Sequence, residues 1–233
     1  MNILAIETAT DACSCALECA GITVTRHAVA PRRHTELLLP MIDSVLAEAG
    51  VALGALDAIA FGRGPGSFTG LRIACSVAQG LAFGADCPLV GVSTLQVIAA
   101  GMHRTHAAPR VLVALDARMG EVYWGGFEWD GIAMAPVFEE SVAPPQAVRV
   151  PTEGAWAGAG SGWSTYRSVL DDRVADRLGR PPEPVEAARL PEAVDMLAPA
   201  KAGFEAGLAV VPEDASPVYL RSNVARATPR RLA

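Results

Sequence analysis

The sequence predicts a two-lobed α/β protein, and two observations carry that expectation. The first is a unit that occurs twice. Ile3-Leu4-Ala5-Ile6 is an apolar run that ends in an acid, Glu7, and continues through a short polar loop into a second strand. Leu112-Val113-Ala114-Leu115-Asp116 repeats the run and its acid 109 residues later. Ala117 to Gly120 then falls on the loop Thr8 to Asp11, and Glu121 to Phe127 on the second strand. Such self-similarity reads as an internal duplication. The second observation is bulk. With 233 residues, 51% hydrophobic and 19% charged, the chain can fill one large core or two small ones. The lobes are expected at 1–105 and 106–233. The second is reduced and carries a C-terminal helix and a basic tail, which is free to pack back on the first.

The elements follow in order. Asn2 to Ile6 suits a buried strand. Cys13 to Glu18, a turn at Cys19-Ala20-Gly21, and Ile22 to Val29 read as an antiparallel hairpin. His34 to Gly50 is a helix: Leu38, Met41, Ile42, Val45, Leu46 and Ala49 share one side, and Gly50 stops it. Leu56 to Phe61 is a strand that runs into the turn Gly62-Arg63-Gly64-Pro65-Gly66-Ser67. Ser67 is placed to cap a helix to about Phe83. Leu89 to Val92 is a strand, and Ser93-Thr94 opens a helix to about Gly101. After the second hairpin, with its turn at Trp129-Asp130-Gly131, the pattern becomes irregular beyond Pro144-Pro145. Ala155 to Gly162 is a short strand entering a Gly-rich turn. Residues 179 to 191 hold four prolines and read as a linker, and Pro191 to Leu208 is moderately helical. The end carries Arg221, Arg226, Arg230 and Arg231 with no acid after Asp214, a small basic tail.

Composition excludes several functions. A net charge of -6 argues against a protein that grips nucleic acid over its whole face. Of 19 basic residues only Lys201 is lysine, and Ala198-Pro199-Ala200-Lys201-Ala202 is no phosphate-binding P-loop. A Schiff-base lysine would have to be that same residue. Ile73 to Ala85 is too short to span a bilayer, and Met1 to Ala9 lacks a basic leader. Five cysteines without a CxxC pair read as reduced thiols. The expectation is a cytoplasmic protein with no membrane contact.

A strand-acid-hairpin unit used twice is the plan of actin-like, sugar-kinase and Hsp70-type ATPases. There the two carboxylates hold a hydrated metal ion, the hairpins cradle phosphate, and a Gly-rich turn receives adenosine. Glu7, Asp116 and the turn Gly158, Gly160, Gly162 stand in those places. A phosphotransferase or ATPase using Glu7 and Asp116 is therefore the rival reading. Against it, the loop Thr8-Ala9-Thr10-Asp11 has no glycine, so its backbone approaches a phosphate less closely. His103 and His106 form a weak pair with no third ligand and read as solvent-facing. His34, at a helix start, reads as a surface or interface residue. Glu139-Glu140 and Asp171-Asp172 are adjacent acids whose side chains point apart. No GxSxG, HExxH or EF-hand pattern is present.

The helix after Ser67 is apolar or small on nearly every face, so something besides its own lobe must cover it. Gly70, Ala74, Val77 and Leu81 recur at spacings that permit close helix approach. The helix from His34 leaves Leu37 and Leu39 over. Leu37, Met41, Phe68, Gly70, Leu71, Ala74, Val77 and Leu81 are thus the candidate residues of a protein-protein face.

Several segments together resemble the TsaB (YeaZ) family over essentially the whole chain. They are Ile3 to Ala16, Arg33-His34-Thr35-Glu36-Leu37-Leu38-Leu39-Pro40, Gly62 to Arg72, Leu115 to Tyr123, Gly158 to Trp163 and Pro217 to Arg221. The resemblance implies an actin-like fold and a non-catalytic role in making threonylcarbamoyladenosine (t6A) at tRNA position 37. It implies that the chain binds and activates a TsaD-like catalytic paralogue, joined by a TsaE-like P-loop ATPase, through the first lobe. The same face would allow a homodimer, and tRNA would be met only through the complex. In the TsaD paralogue a similar strand leads into a helix with an HxxxH metal site. Here Gly91-Val92 places Thr94 and Ile98 at those positions, neither of them a metal ligand of note. No metal and no cofactor are expected.

Overall fold

The computed structural model describes residues 1–221; Arg226, Arg230 and Arg231 of the basic tail lie outside the described residues. The first lobe starts with β1 (Ile3–Glu7), β2 (Ala12–Cys19) and β3 (Ile22–Val29), followed by α1 (His34–Ala49). Next come β4 (Ala58–Gly64), α2 (Phe68–Ala85), β5 (Leu89–Ser93) and α3 (Thr94–His106). The second lobe holds β6 (Arg110–Asp116), β7 (Val122–Trp129), β8 (Met134–Pro136), β9 (Ser141–Ala143), β10 (Ala157–Ala159), α4 (Gly162–Leu178) and β11 (Val185–Glu186). A 3-10 turn, Ala193–Met196, leads into α5 (Leu197–Glu205).

The duplication is written in the topology. The first sheet runs β3-β2-β1-β4-β5 and the second β8-β7-β6-β10-β11. In each, the opening strand pairs antiparallel with the next strand and parallel with the strand on its other side. The fold is the two-lobed actin-like one. β1 is buried along its whole length, as a strand covered on both faces must be. Ile6 and Leu4 face the core shared with α1 and α2, whereas Ile3 and Ala5 face the opposite layer.

The helices confirm their local signals. Ser67 caps α2, its hydroxyl accepting from the Gly70 N–H at 3.4 Å. Ser93 caps α3 by accepting from the Leu95 and Gln96 N–H groups. Gly50 ends α1 in the left-handed region, where glycine carries no Cβ penalty.

Several expectations need correction. α3 runs to His106 rather than Gly101, because Met102 is buried and Ala107 supplies the left-handed cap. Side chains cross the expected boundary at residue 105/106 in both directions. Leu95, Ile98, Ala99 and Met102 of α3 pack on the second sheet. Ala193, Met196, Leu197 and Ala200 return to the back of the first sheet, against Ile3, Ala5, Val90 and Val92. α4 falls where no helix is expected, although Trp163, Tyr166, Leu170, Val174 and Leu178 recur at helical spacing and pack on the second sheet. The expected linker 179–191 contains β11, the edge strand of the second sheet. Among the described residues, no helix is long and apolar enough to cross a membrane.

Candidate functional site

Glu7 ends β1 where the two lobes meet and is fully buried. One oxygen, Oε1, accepts from the Ala9 N–H at 2.6 Å, and Oε2 accepts from the Thr94 hydroxyl at 3.3 Å. Burial pushes its pKa up to about 7, against the lowering effect of the Ala9 N–H, the Thr94 hydroxyl and the Thr8 N–H. Gly62 on β4 lies flat against this carboxylate, so any Cβ there would overlap it. A carboxylate hemmed in this way keeps company with backbone and hydroxyl groups rather than with solvent.

The loop that follows Glu7 is also covered. The N–H of Ser67 donates to the Ala9 carbonyl at 2.7 Å, and the Thr8 hydroxyl donates to the Gly70 carbonyl at 2.7 Å. A Cβ on Gly70 would overlap the Thr8 carbonyl oxygen, and one on Gly66 would come within 2.8 Å of the Ala9 Cβ. The segment Gly62 to Gly70 therefore sits on the hairpin loop where a phosphate would lie in the ATPase plan. Its glycines serve chain-to-chain contact.

Asp116 ends β6 at the matching place in the second lobe. It accepts from the Arg118 N–H at 2.8 Å and pairs with the Arg118 guanidinium at 3.2 Å. The Asp116 N–H donates to the Ser161 hydroxyl at 3.1 Å. The turn after β10 is packed as well. Gly160 and Gly162 lie against Ala114 of β6, and Gly158 lies between Trp163 and Val185. The glycines of this turn allow β10 and α4 to approach β6. Thr94 and Ile98 are both buried, Thr94 on Glu7 and Ile98 in the apolar layer on the second sheet. Among the described residues, no three His, Cys, Asp or Glu side chains gather as metal ligands do.

Three side chains acquire roles that the sequence does not announce. Glu140, in the loop before β9, crosses from the second lobe to the first. It accepts from the Ser93 hydroxyl and pairs with Arg63 at 3.5 Å. Desolvation raises its pKa, against the lowering effect of the Ser93 and Arg63 contacts. Glu139 beside it is exposed, so the two acids do point apart, and that alternation was the available signal. His34 is corrected from surface residue to bolt: it is buried, and its Nε2 lies 2.9 Å from the Thr10 carbonyl and 3.2 Å from that of Ala12. His103 is corrected too, because it stacks on Trp129 with ring centroids 4.0 Å apart.

The candidate protein-protein face divides. Gly70, Leu71 and Ala74 are buried inside the first lobe, so a partner cannot touch them, and here the expectation fails. Helical spacing placed Gly70 and Ala74 on a stripe with Val77 and Leu81, but the first half of that stripe is consumed by the lobe itself. Leu37, Met41, Val77 and Leu81 are half-buried at its edge. Phe68 is 52% exposed and Leu39 48%. Together with Thr35, Arg72, Ile73 and Val77 they line an open groove of about 570 Å³ between α1 and α2. Its mouth is organised by the C-terminal segment. Tyr219 packs on Phe68 with ring centroids 5.5 Å apart, and Arg72 lies 3.8 Å over the Phe68 ring. The Val218 N–H donates to the Arg63 carbonyl at 2.7 Å.

The fold and this geometry define a class: an actin-like two-lobed protein whose strand-end acids are engaged by its own chain and whose first lobe presents an apolar groove. A family model described as TsaD, tRNA N6-adenosine threonylcarbamoyltransferase, matches residues 25–227. The chain is 44% identical to the tRNA threonylcarbamoyladenosine biosynthesis protein TsaB of Escherichia coli, over 97% of this chain and 96% of that one. It is 35% identical to TsaB of Haemophilus influenzae, over 96% and 95%. Among solved structures it is similar to YeaZ from Pseudomonas aeruginosa, with a TM-score of 0.86 and 45% identity over 94% of this chain and 99% of that one. A tRNA N6-adenosine threonylcarbamoyltransferase from Symbiobacterium thermophilum matches over 29% of this chain. The chain belongs to the TsaB (YeaZ) family, and its role lies in tRNA threonylcarbamoyladenosine biosynthesis.

Proposed function

We propose that this protein is a non-catalytic subunit of the t6A pathway, which binds and activates a TsaD-like catalytic paralogue. The observation that carries the reading is the apolar groove between α1 and α2, with Phe68 and Leu39 at its edges. Phe68 and Leu39 are each about half exposed, so covering them with a partner removes from water about half of a full side-chain burial, roughly 1 kcal/mol each. Arg72, held over the Phe68 ring, supplies a polar contact at the rim. A TsaE-like P-loop ATPase joins the assembly. The same groove takes a second copy of the chain when the paralogue is absent, and tRNA is met within the complex. The engaged state of Glu7 and Asp116 supports an accessory role rather than independent turnover.

Size-exclusion chromatography with a TsaD-like protein tests this reading. A heteromer forms with the wild type and is lost in Phe68→Glu; an unchanged elution profile for the variant refutes the groove. Reconstituted adenosine modification, with the other components fixed, should require this chain. Modification at equal rate without it refutes the role.

A further inference from the structure

The second lobe carries a cleft that neither the fold family's ligand plan nor the partner groove uses. It measures about 590 Å³ and is lined by Arg110, Arg149, Arg173 and Arg177, with Glu128, Glu153 and Trp156. Four arginines face two glutamates on a chain whose net charge is -6. Elsewhere in the molecule arginine is usually matched by an acid. Among the described residues, only Arg32, Arg72, Arg149, Arg173, Arg177 and Arg180 lack an acidic partner. Three of those six line this one cleft.

Arg173 and Arg177 stand on α4 and Arg149 on the segment before Val150, and the contacts that hold Arg149 and Arg173 leave their charge uncompensated. The Arg173 Nε donates to the Val148 carbonyl at 3.1 Å. The Arg149 guanidinium lies 5.2 Å from the centre of the Phe138 ring. Arg177 stands one helical turn beyond Arg173 on α4. Arg110 is the exception, paired with Glu128 at 2.7 Å. The loop that closes the cleft turns at Gly154 with φ of +95°, and a Cβ there would fall 2.6 Å from Arg110 Nη1. Guanidinium groups held by backbone and aromatic contacts keep free N–H donors in the fork geometry that matches phosphate oxygens.

We propose that this cleft binds the sugar-phosphate backbone of RNA, with Arg149, Arg173 and Arg177 each meeting a phosphate. The choice of RNA over other polyanions rests on the chain's place in tRNA modification. A patch of this size on an acidic protein gives weak, salt-sensitive binding, suited to an added contact on a tRNA held by a larger assembly.

The test uses the full chain and transcribed tRNA, with fluorescence anisotropy across roughly 30 to 200 mM salt. The wild type binds with an affinity that falls as salt rises. The triple variant Arg149→Gln/Arg173→Gln/Arg177→Gln lowers the magnitude of the slope of log K against log salt by roughly 2–3, because each phosphate left without its arginine takes roughly 0.7–0.9 from it. Arg177→Gln, which breaks no bond in the fold, lowers it by roughly 0.8 alone. Arg32→Gln, exposed and outside the cleft, leaves the slope unchanged. No retention of tRNA by the wild type overturns the proposal, as do equal slopes for wild type and triple variant. Inorganic phosphate displacing tRNA at millimolar concentration makes this a small-anion site, and poly-glutamate binding as tightly as tRNA makes it a site for acidic protein; either overturns the RNA assignment. Heteromer formation with the TsaD-like paralogue is read separately: its absence in the wild type refutes the accessory role, whereas its loss only in the arginine variants shows that the cleft holds the partner or the fold and overturns the RNA assignment.

Discussion

Replacing Glu7 with Gln should stabilise the protein at neutral and alkaline pH and remove part of its pH dependence. Glu7 is fully buried, and desolvation raises its pKa from 4.5 to about 7. Between those values the folded state holds a proton that the unfolded chain has released. Stability contributed by that proton is complete below pH 4.5, declines as pH climbs, and is gone above about 7. At about 1.4 kcal/mol per pH unit, the interval corresponds to about 3 kcal/mol. Glutamine is nearly isosteric and neutral. Its carbonyl accepts from the Ala9 N–H, and its amide donates to the Thr94 hydroxyl, replacing both contacts of the acid. The variant is therefore expected to exceed the wild type by about 1 kcal/mol at pH 5 and by about 3 kcal/mol at pH 8, the two converging only below pH 4.5. Urea unfolding at half-unit steps from pH 5 to 8.5 measures this directly. The difference curve isolates Glu7 from every other titrating group. Parallel stability curves, or a variant less stable at every pH, would show that Glu7 is ionised and satisfied in the fold.

Other consequences follow from the packing. Gly62→Ala places a methyl group on the Glu7 carboxylate and should cost about 1–3 kcal/mol by overpacking, read as a lower urea midpoint. Glu140→Ala removes the link from Ser93 and Arg63 to the second lobe. It should destabilise the fold by about 1–3 kcal/mol in the same assay, and no loss would mean the lobes are held by apolar contact alone. Burial pushes the Cys13 thiol up to about 11 and the Cys15 thiol up to about 12. Native protein at pH 8 should therefore be alkylated at half-buried Cys19 well before either; peptide mapping that finds Cys13 or Cys15 labelled first refutes that order.

Much of the first lobe is decided by local chemistry. The β1 run, the Ser67 and Ser93 caps and the Gly50 stop each depend on residues within a few positions, so the chain announces them. The duplication was legible because each copy keeps an apolar strand ending in an acid, and the matched strand orders of the two sheets repeat it in three dimensions. α4 is missed although Trp163, Tyr166, Leu170, Val174 and Leu178 carry the 3.6-residue period, because the Gly-rich turn before it and the charged residues between them read as irregular chain.

The sequence alone determined which residue types stand at the two strand ends, how the helices begin, and that α2 has more apolar surface than one helix needs. Only the tertiary structure decided which side of α2 is consumed. Gly70 turns inward against the hairpin loop at Thr8 and Ala9, Leu71 against Gly64, and Ala74 into the core of the first lobe, whereas Phe68 and Leu39 are left outside. It also decided that Glu7 is enclosed, that Glu140 joins the lobes, and that α5 returns to the first sheet. Each of these depends on residues far apart in the chain or on opposite lobes. Periodicity fixes a side chain's direction on its own element, but what meets it there depends on how distant elements pack.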